Sequence, residues 1–146
     1  MKTPIYIAIA NGPNMNLIGQ RETDIYGTER LDTYLDRIED AFPGVVFTRF
    51  QSNHEGALID FLQDVGFTVD GIVLNAAAYT HTSVAIADTL RAITSPVVEV
   101  HISDPMQREP YRHVSLLSDE CIATIAGQGL DGYRQAIALL VERCGK

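Results

Sequence analysis

The sequence predicts an α/β fold: a doubly wound, five-stranded parallel sheet with helices on both faces. Three observations carry this. Short, unbroken apolar runs such as IYIAIA, GIVLN and VVEVH recur along the chain, the pattern of strands buried on both faces. Longer stretches with apolar residues at helical spacing lie between them. Proline, glycine and asparagine punctuate the junctions.

Taken in order, residues 4–10 read as the first strand. An export signal is the other reading of this start, but polar NGPN follows at once with no small-residue cleavage site. Residues 11–28 are polar and rich in glycine and asparagine, a long loop. Leu31, Tyr34, Leu35, Ile38 and Phe42 fall on one helical face, with Thr28 as cap, and Pro43 and Gly44 stop that helix. Residues 45–51 form the second strand. Ser52 followed three residues later by Glu55 has the form of a capping box. It opens a helix with Leu58, Ile59, Leu62 and Val65 on its face. Residues 71–75 and 97–101 are strands three and four. Val84, Ile86, Leu90 and Ile93 mark the helix between them, ended by Ser95 and Pro96. Residues 121–126 are the fifth strand and residues 133–141 the last helix. Strands alternating with helices in this way give a parallel sheet covered on both sides, a flavodoxin-like arrangement. The chain has no internal repeat or linker, so residues 1–146 are expected to form a single catalytic domain.

Bulk composition narrows the function. A chain of 146 residues buries roughly 70% of its unfolded surface, enough for a core without staples. A net charge of −8 argues against nucleic acid or an anionic membrane as partner. No run approaches the length of a membrane span. Cys121 and Cys144 show no metal-binding or redox spacing and are expected as reduced thiols in the cytoplasm. The only lysines are Lys2 and Lys146. Carbonyl chemistry here is therefore expected to proceed without a lysine imine.

Ligands of doubly wound sheets sit beyond the carboxyl ends of the strands. Four polar clusters follow those ends: NGPNMN, QSNHEG, NAAAYTHTS and HISDPMQREPYRH. Their convergence predicts a site. On the first loop, Tyr26 is a candidate base. Its phenol has an ordinary pKa near 10, and an arginine at about 4 Å supplies up to roughly 4 kcal/mol toward the phenolate. Arg21, Arg108 and Arg112 are the candidates for that cation. Glu99 and His101 are two apart on a strand and share a face, so the glutamate orients and supports a histidine acid. Asn75 and His81 are candidates to bind hydroxyls or a carboxylate, although Asn75 also suits a turn. Thr82 or Ser83 suits a helix cap. Arg108 and Arg112 read either as a solvated pair with Glu109 or as an anion clamp.

Together these clusters resemble the type II 3-dehydroquinate dehydratases from about Ile5 to Leu140. The resemblance is carried by NGPNMNLIGQRETDIYG, QSNHEGALIDFL, NAAAYTHTSVAIADTL, VVEVHIS, REPYRHVS and GQGLDGY. It implies a flavodoxin-like fold and conversion of 3-dehydroquinate to 3-dehydroshikimate and water through an enolate, with neither metal nor cofactor. That step serves both aromatic biosynthesis and quinate breakdown. It also implies a homo-oligomer, a dodecamer built of trimers. By the same resemblance Tyr26 is the proton acceptor, Arg21 stabilises the transition state, Asn14 holds a water near the enolate oxygen, and His101 protonates the departing hydroxyl. Glu99 supports His101. Asn75, His81, Arg112 and the backbone at Ile102 and Ser103 bind substrate, and Asp88 contacts it from a neighbouring subunit. The chain departs from the family's usual pattern at Thr23, where it has proline, and at Ala77, where it commonly has glycine. It departs also at Ala87 (arginine), Asp104 (asparagine) and Val114 (histidine).

Two other readings compete. A flavin-binding module would use the first loop for a phosphate, yet that loop lacks a serine- and threonine-rich character. A metal hydrolase would use His81, His101 and His113, which lack close ligand spacing.

Overall fold

The computed structural model describes residues 3–20 and 22–145, and of Tyr26 the backbone alone. Five strands, β1 (Ile5–Asn11), β2 (Val45–Gln51), β3 (Gly71–Asn75), β4 (Val97–His101) and β5 (Ala123–Ala126), form one sheet in the order β2-β1-β3-β4-β5. Every neighbouring pair is parallel. The chain steps outward from β1 to β2, then returns across β1 to β3. The switch point therefore lies between β1 and β3, where Asn11 is in register with Asn75.

The helices are one turn α1 (Thr23–Tyr26), then α2 (Leu31–Asp40), α3 (Glu55–Val65), α4 (Val84–Ala92) and α5 (Asp131–Cys144). They split between the faces as a doubly wound sheet requires. Leu35 and Ile38 of α2 and Ala136, Ile137 and Leu140 of α5 pack on Ile7, Ile9, Val73, Val98 and Val100. Leu58 and Leu62 of α3 and Ile86 and Leu90 of α4 pack on Ala8, Ala10, Ile72 and Leu74. Strands β3 and β4 are buried along their whole length, which is why they read as continuous apolar runs.

Five local expectations are corrected. The second helix begins at Leu31 with extended Arg30 before it and no side-chain cap. Burial of Leu31, Tyr34, Leu35 and Ile38 sets that start, and Thr28 falls short of it. The capping box does not form. Glu55 is the first residue of α3 rather than the third, Ser52 Oγ accepts from the His54 amide at 3.0 Å, and the Glu55 carboxylate accepts from the Ser83 hydroxyl. Val84 is exposed rather than on the core face of α4. It lies about 200° around the helix from Ile86, so the two cannot share a face. The last strand starts at Ala123, and the last helix runs on to Cys144. Among the described residues no helix is long and apolar enough to cross a membrane.

Candidate active site

The carboxyl ends of β1, β3 and β4 open into one cavity of about 100 Å³. The loops after β1 and β3 meet tightly there. The Gly12 amide donates to the Asn75 carbonyl at 2.7 Å, and a Cβ on Gly12 would lie 2.4 Å from the Ala76 carbonyl oxygen. Only glycine permits that approach. Next along the loop, Asn14 takes the left-handed conformation (φ 68°), which asparagine tolerates better than most residues, and its amide donates to Asn53 Oδ1 at 2.9 Å.

Asn14, Asn75, His81, His101, Ile102, Ser103 and Arg112 all line this cavity, as does Arg108. The structure thus brings together eight of the residues singled out in the sequence. Asp88 does not join them: its exposed side chain on α4 lies 3.9 Å from Arg91 Nη1. Arg21 and the side chain of Tyr26 lie outside the described residues.

Behind the cavity, Glu99 has no solvent exposure. Its carboxylate accepts from His101 Nε2 (2.9 Å), Ser115 Oγ (2.7 Å), Ser118 Oγ (2.6 Å) and Thr124 Oγ1 (2.9 Å). Thr124 is its register partner on β5. Burial by itself would raise this carboxyl. The His101 hydrogen bond and charge and the serine hydroxyls outweigh that and hold its pKa at about 2. A carboxylate only accepts, so Nε2 carries a hydrogen. That leaves Nδ1 as the nitrogen His101 presents to the cavity, basic in the neutral ring and a proton donor in the imidazolium.

The His81 ring lies 6.4 Å from that of His101, centroid to centroid. Its Nδ1 donates to the Val114 carbonyl at 2.7 Å, leaving Nε2 for a ligand. The contact uses only the backbone at 114, so valine serves there as well as histidine. Ser83 caps α4, its Oγ accepting from the Ile86 amide at 2.9 Å.

Arg108 and Arg112 reach the cavity from the segment after β4. Arg108 Nη1 donates to Ser103 Oγ at 3.4 Å. Glu109 sits 3.6 Å from Arg108 and 3.2 Å from Arg112, so both arginines pair with Glu109 while lining the cavity. The Tyr111 hydroxyl, then a hydrogen bond from Glu109's own backbone, and after these the charges of Arg112 and Arg108 hold the Glu109 carboxyl at about 2. Asp104 faces elsewhere, its Oδ1 accepting from the Met106 amide at 3.0 Å. No acidic side chain lines the cavity among the described residues. In a chain of net charge −8, two arginines and two histidines give this cavity a locally basic lining. Among the described residues no group of histidine, cysteine or acidic side chains is arranged to hold a metal.

Several participants were not legible in the sequence. Ser115, Ser118 and Thr124 carry no motif of their own; only the register β4–β5 and the turn before β5 bring them to Glu99. Asn11 and Tyr133 lie inside quoted motifs, yet nothing in those motifs reveals that the two side chains touch.

The fold and site together define a flavodoxin-like α/β enzyme with a basic cavity and a carboxylate-backed histidine at its switch-point edge. The family model described as dehydroquinase class II matches residues 5–141. A 3-dehydroquinate dehydratase of an Exiguobacterium species is 50% identical over 93% of this chain and 94% of its own length. The protein of the same name from Chlorobaculum tepidum is 44% identical over 98% of each chain. The crystal structure of the type II dehydroquinase of Butyrivibrio crossotus matches with a TM-score of 0.92 and 42% identity, over 96% of this chain and 99% of that one. The chain belongs to the class II dehydroquinases, a family of hydro-lyases, as the motif resemblance implied.

Proposed function

We propose that this chain removes water from 3-dehydroquinate to give 3-dehydroshikimate, with the cavity over β1, β3 and β4 as the reaction site. The observation that carries this is the Glu99–His101 pair, which presents a proton donor inside a basic cavity with no acidic lining among the described residues. The substrate is a β-hydroxy ketone bearing a carboxylate. A base removes a proton from the carbon between the ketone and the hydroxyl-bearing carbon, and its electron pair moves to the ketone oxygen as an enolate. When the enolate collapses, the carbon–oxygen bond breaks on the opposite face. The hydroxyl takes a proton from His101 Nδ1 and leaves as water, completing an anti elimination. Glu99 holds the His101 ring in place through Nε2.

Tyr26 is the base and Arg21 its partner in this reading, which rests on their place in the family motif. Asn14 holds a water near the enolate oxygen. Asn75, His81, Arg112 and the backbone at Ile102 and Ser103 grip the carboxylate and hydroxyls. Asp88, exposed on α4 and away from its own cavity, acts in a neighbouring subunit of a trimer, four trimers making a dodecamer. The working unit is the single domain of residues 1–146, with no metal or cofactor. The free thiols of Cys121 and Cys144 suit a cytoplasmic enzyme.

The test is to add 3-dehydroquinate to purified protein and follow the ultraviolet absorbance of the conjugated enone. A rise that His101→Asn lowers by about 100-fold or more is the expected result. A wild-type protein with no rise above the uncatalysed rate overturns the assignment.

A further inference from the structure

The Asn75 amide at the cavity wall is held from behind by a buried chain of hydrogen bonds. The Ala77 backbone amide donates to Asn75 Oδ1 at 3.1 Å. A backbone N–H only donates, so Oδ1 must face Ala77 and Nδ2 must face the other way. There Nδ2 donates to the Tyr133 hydroxyl at 3.1 Å, and that hydroxyl donates to Asn11 Oδ1 at 2.5 Å. One backbone amide thus sets the direction of the whole chain, from Asn75 through Tyr133 to Asn11.

The chain spans the switch point of the sheet. Asn11 and Asn75 end β1 and β3 in register, and Tyr133 comes from the first turn of α5. Tyr133 has no exposure, and Asn11 and Asn75 have 3% each. Burial pushes the Tyr133 phenol above its ordinary range, so it stays a hydroxyl and serves as donor and acceptor at once. Nδ2 of Asn75 has two hydrogens. With one committed to Tyr133, the other is what Asn75 offers to an oxygen of a ligand in the cavity it lines. The terminal torsion of an asparagine is broad, and a buried amide that lost this partner would turn to seek another.

We propose that Tyr133 is a positioning residue for substrate binding: anchored on Asn11, its hydroxyl holds the Asn75 amide so that one Nδ2 hydrogen stays directed at the substrate. This rests on the cavity being the 3-dehydroquinate site. Tyr133 touches no reacting atom and acts only through Asn75.

The experiment is a double-mutant cycle of Tyr133→Phe and Asn75→Ala, with kcat, KM and melting temperature measured for all four proteins on 3-dehydroquinate. Tyr133→Phe in the wild-type background should raise KM by about three- to tenfold and change kcat less. In the Asn75→Ala background it should leave KM within twofold while still lowering the melting temperature. KM unchanged by Tyr133→Phe in the wild-type background overturns the proposal and leaves the hydroxyl a structural contact only. An equal KM effect in both backgrounds overturns it too, since the hydroxyl would then act by another route. If Tyr133→Phe does not fold, Asn11→Ala carries the same test. It removes the anchor of the hydroxyl, and a KM rise that vanishes in Asn75→Ala supports the proposal while an unchanged KM overturns it. A wild-type protein inactive on 3-dehydroquinate defeats the assignment of the cavity instead, a result distinct from an active wild type with an indifferent Tyr133→Phe.

Discussion

Nε2 of His101 stands 2.9 Å from Oε2 of Glu99, a carboxylate with no exposure to water. A buried ion is costly unless every lone pair finds a donor, and here three hydroxyls complete the set begun by the histidine. The pair joins the chemistry of the site to the stability of the fold.

Its pH dependence has a definite sign. The Glu99 carboxyl is lowered from 4.5 to about 2 in the folded protein. Its contribution is therefore fully present above about pH 4.5 and is lost as pH falls from there through about 2. The size is on the order of 3 kcal/mol. Glu99→Gln should remove that part of the acid dependence, giving a flatter plot of unfolding free energy against pH between about 5 and 2. It should also lower kcat, by about 10- to 100-fold if the effect matches that of losing the carboxylate behind a metal-bound histidine. Denaturant unfolding across pH checks the first effect and steady-state kinetics the second; an unchanged acid slope would mean that Glu99 is not held ionised.

Tyr26→Phe is expected to abolish nearly all turnover with the melting temperature unchanged within a few degrees. The substitution keeps the ring and deletes the proton acceptor. General-base contributions run to about 100-fold or more, so residual turnover above about a tenth of wild type would reject the assigned role.

Ala77 holds φ at 54°, a left-handed conformation that costs an L residue about 1–2 kcal/mol. Ala77→Gly removes that strain, and the greater freedom of the unfolded glycine offsets about 0.4–1 kcal/mol of the gain. The net expectation is a protein more stable by up to about 1.6 kcal/mol, read as a higher denaturant midpoint with an unchanged slope. A lower midpoint would show that the turn after β3 relaxes around alanine without strain.

Asp88 is expected to serve a neighbour's site. Asp88→Ala and Tyr26→Phe, each nearly inactive alone, should regain part of their activity when unfolded and refolded together, because mixed trimers contain sites with both wild-type groups. Demonstrated exchange of chains with no recovery would place Asp88 within its own subunit or outside the reaction.

Much of this protein was legible in the sequence. Apolar runs such as IVLN and VVEV mark β3 and β4 because strands covered on both faces have no wet side to vary. Glu99 and His101 pair in the sequence because the two-residue period of a strand settles which side chains share a face, and the family follows from several long motifs in order. What the tertiary structure alone decided depends on contacts between distant segments. Glu55 left its capping box for the Ser83 hydroxyl because α3 packs beside α4. Ser115, Ser118 and Thr124 gained a role only when β5 took its register beside β4. Tyr133 reached Asn11, 122 residues away, only because α5 lies across the switch point. Periodicity reports which face of an element is buried; which partner waits there is set by how the elements pack.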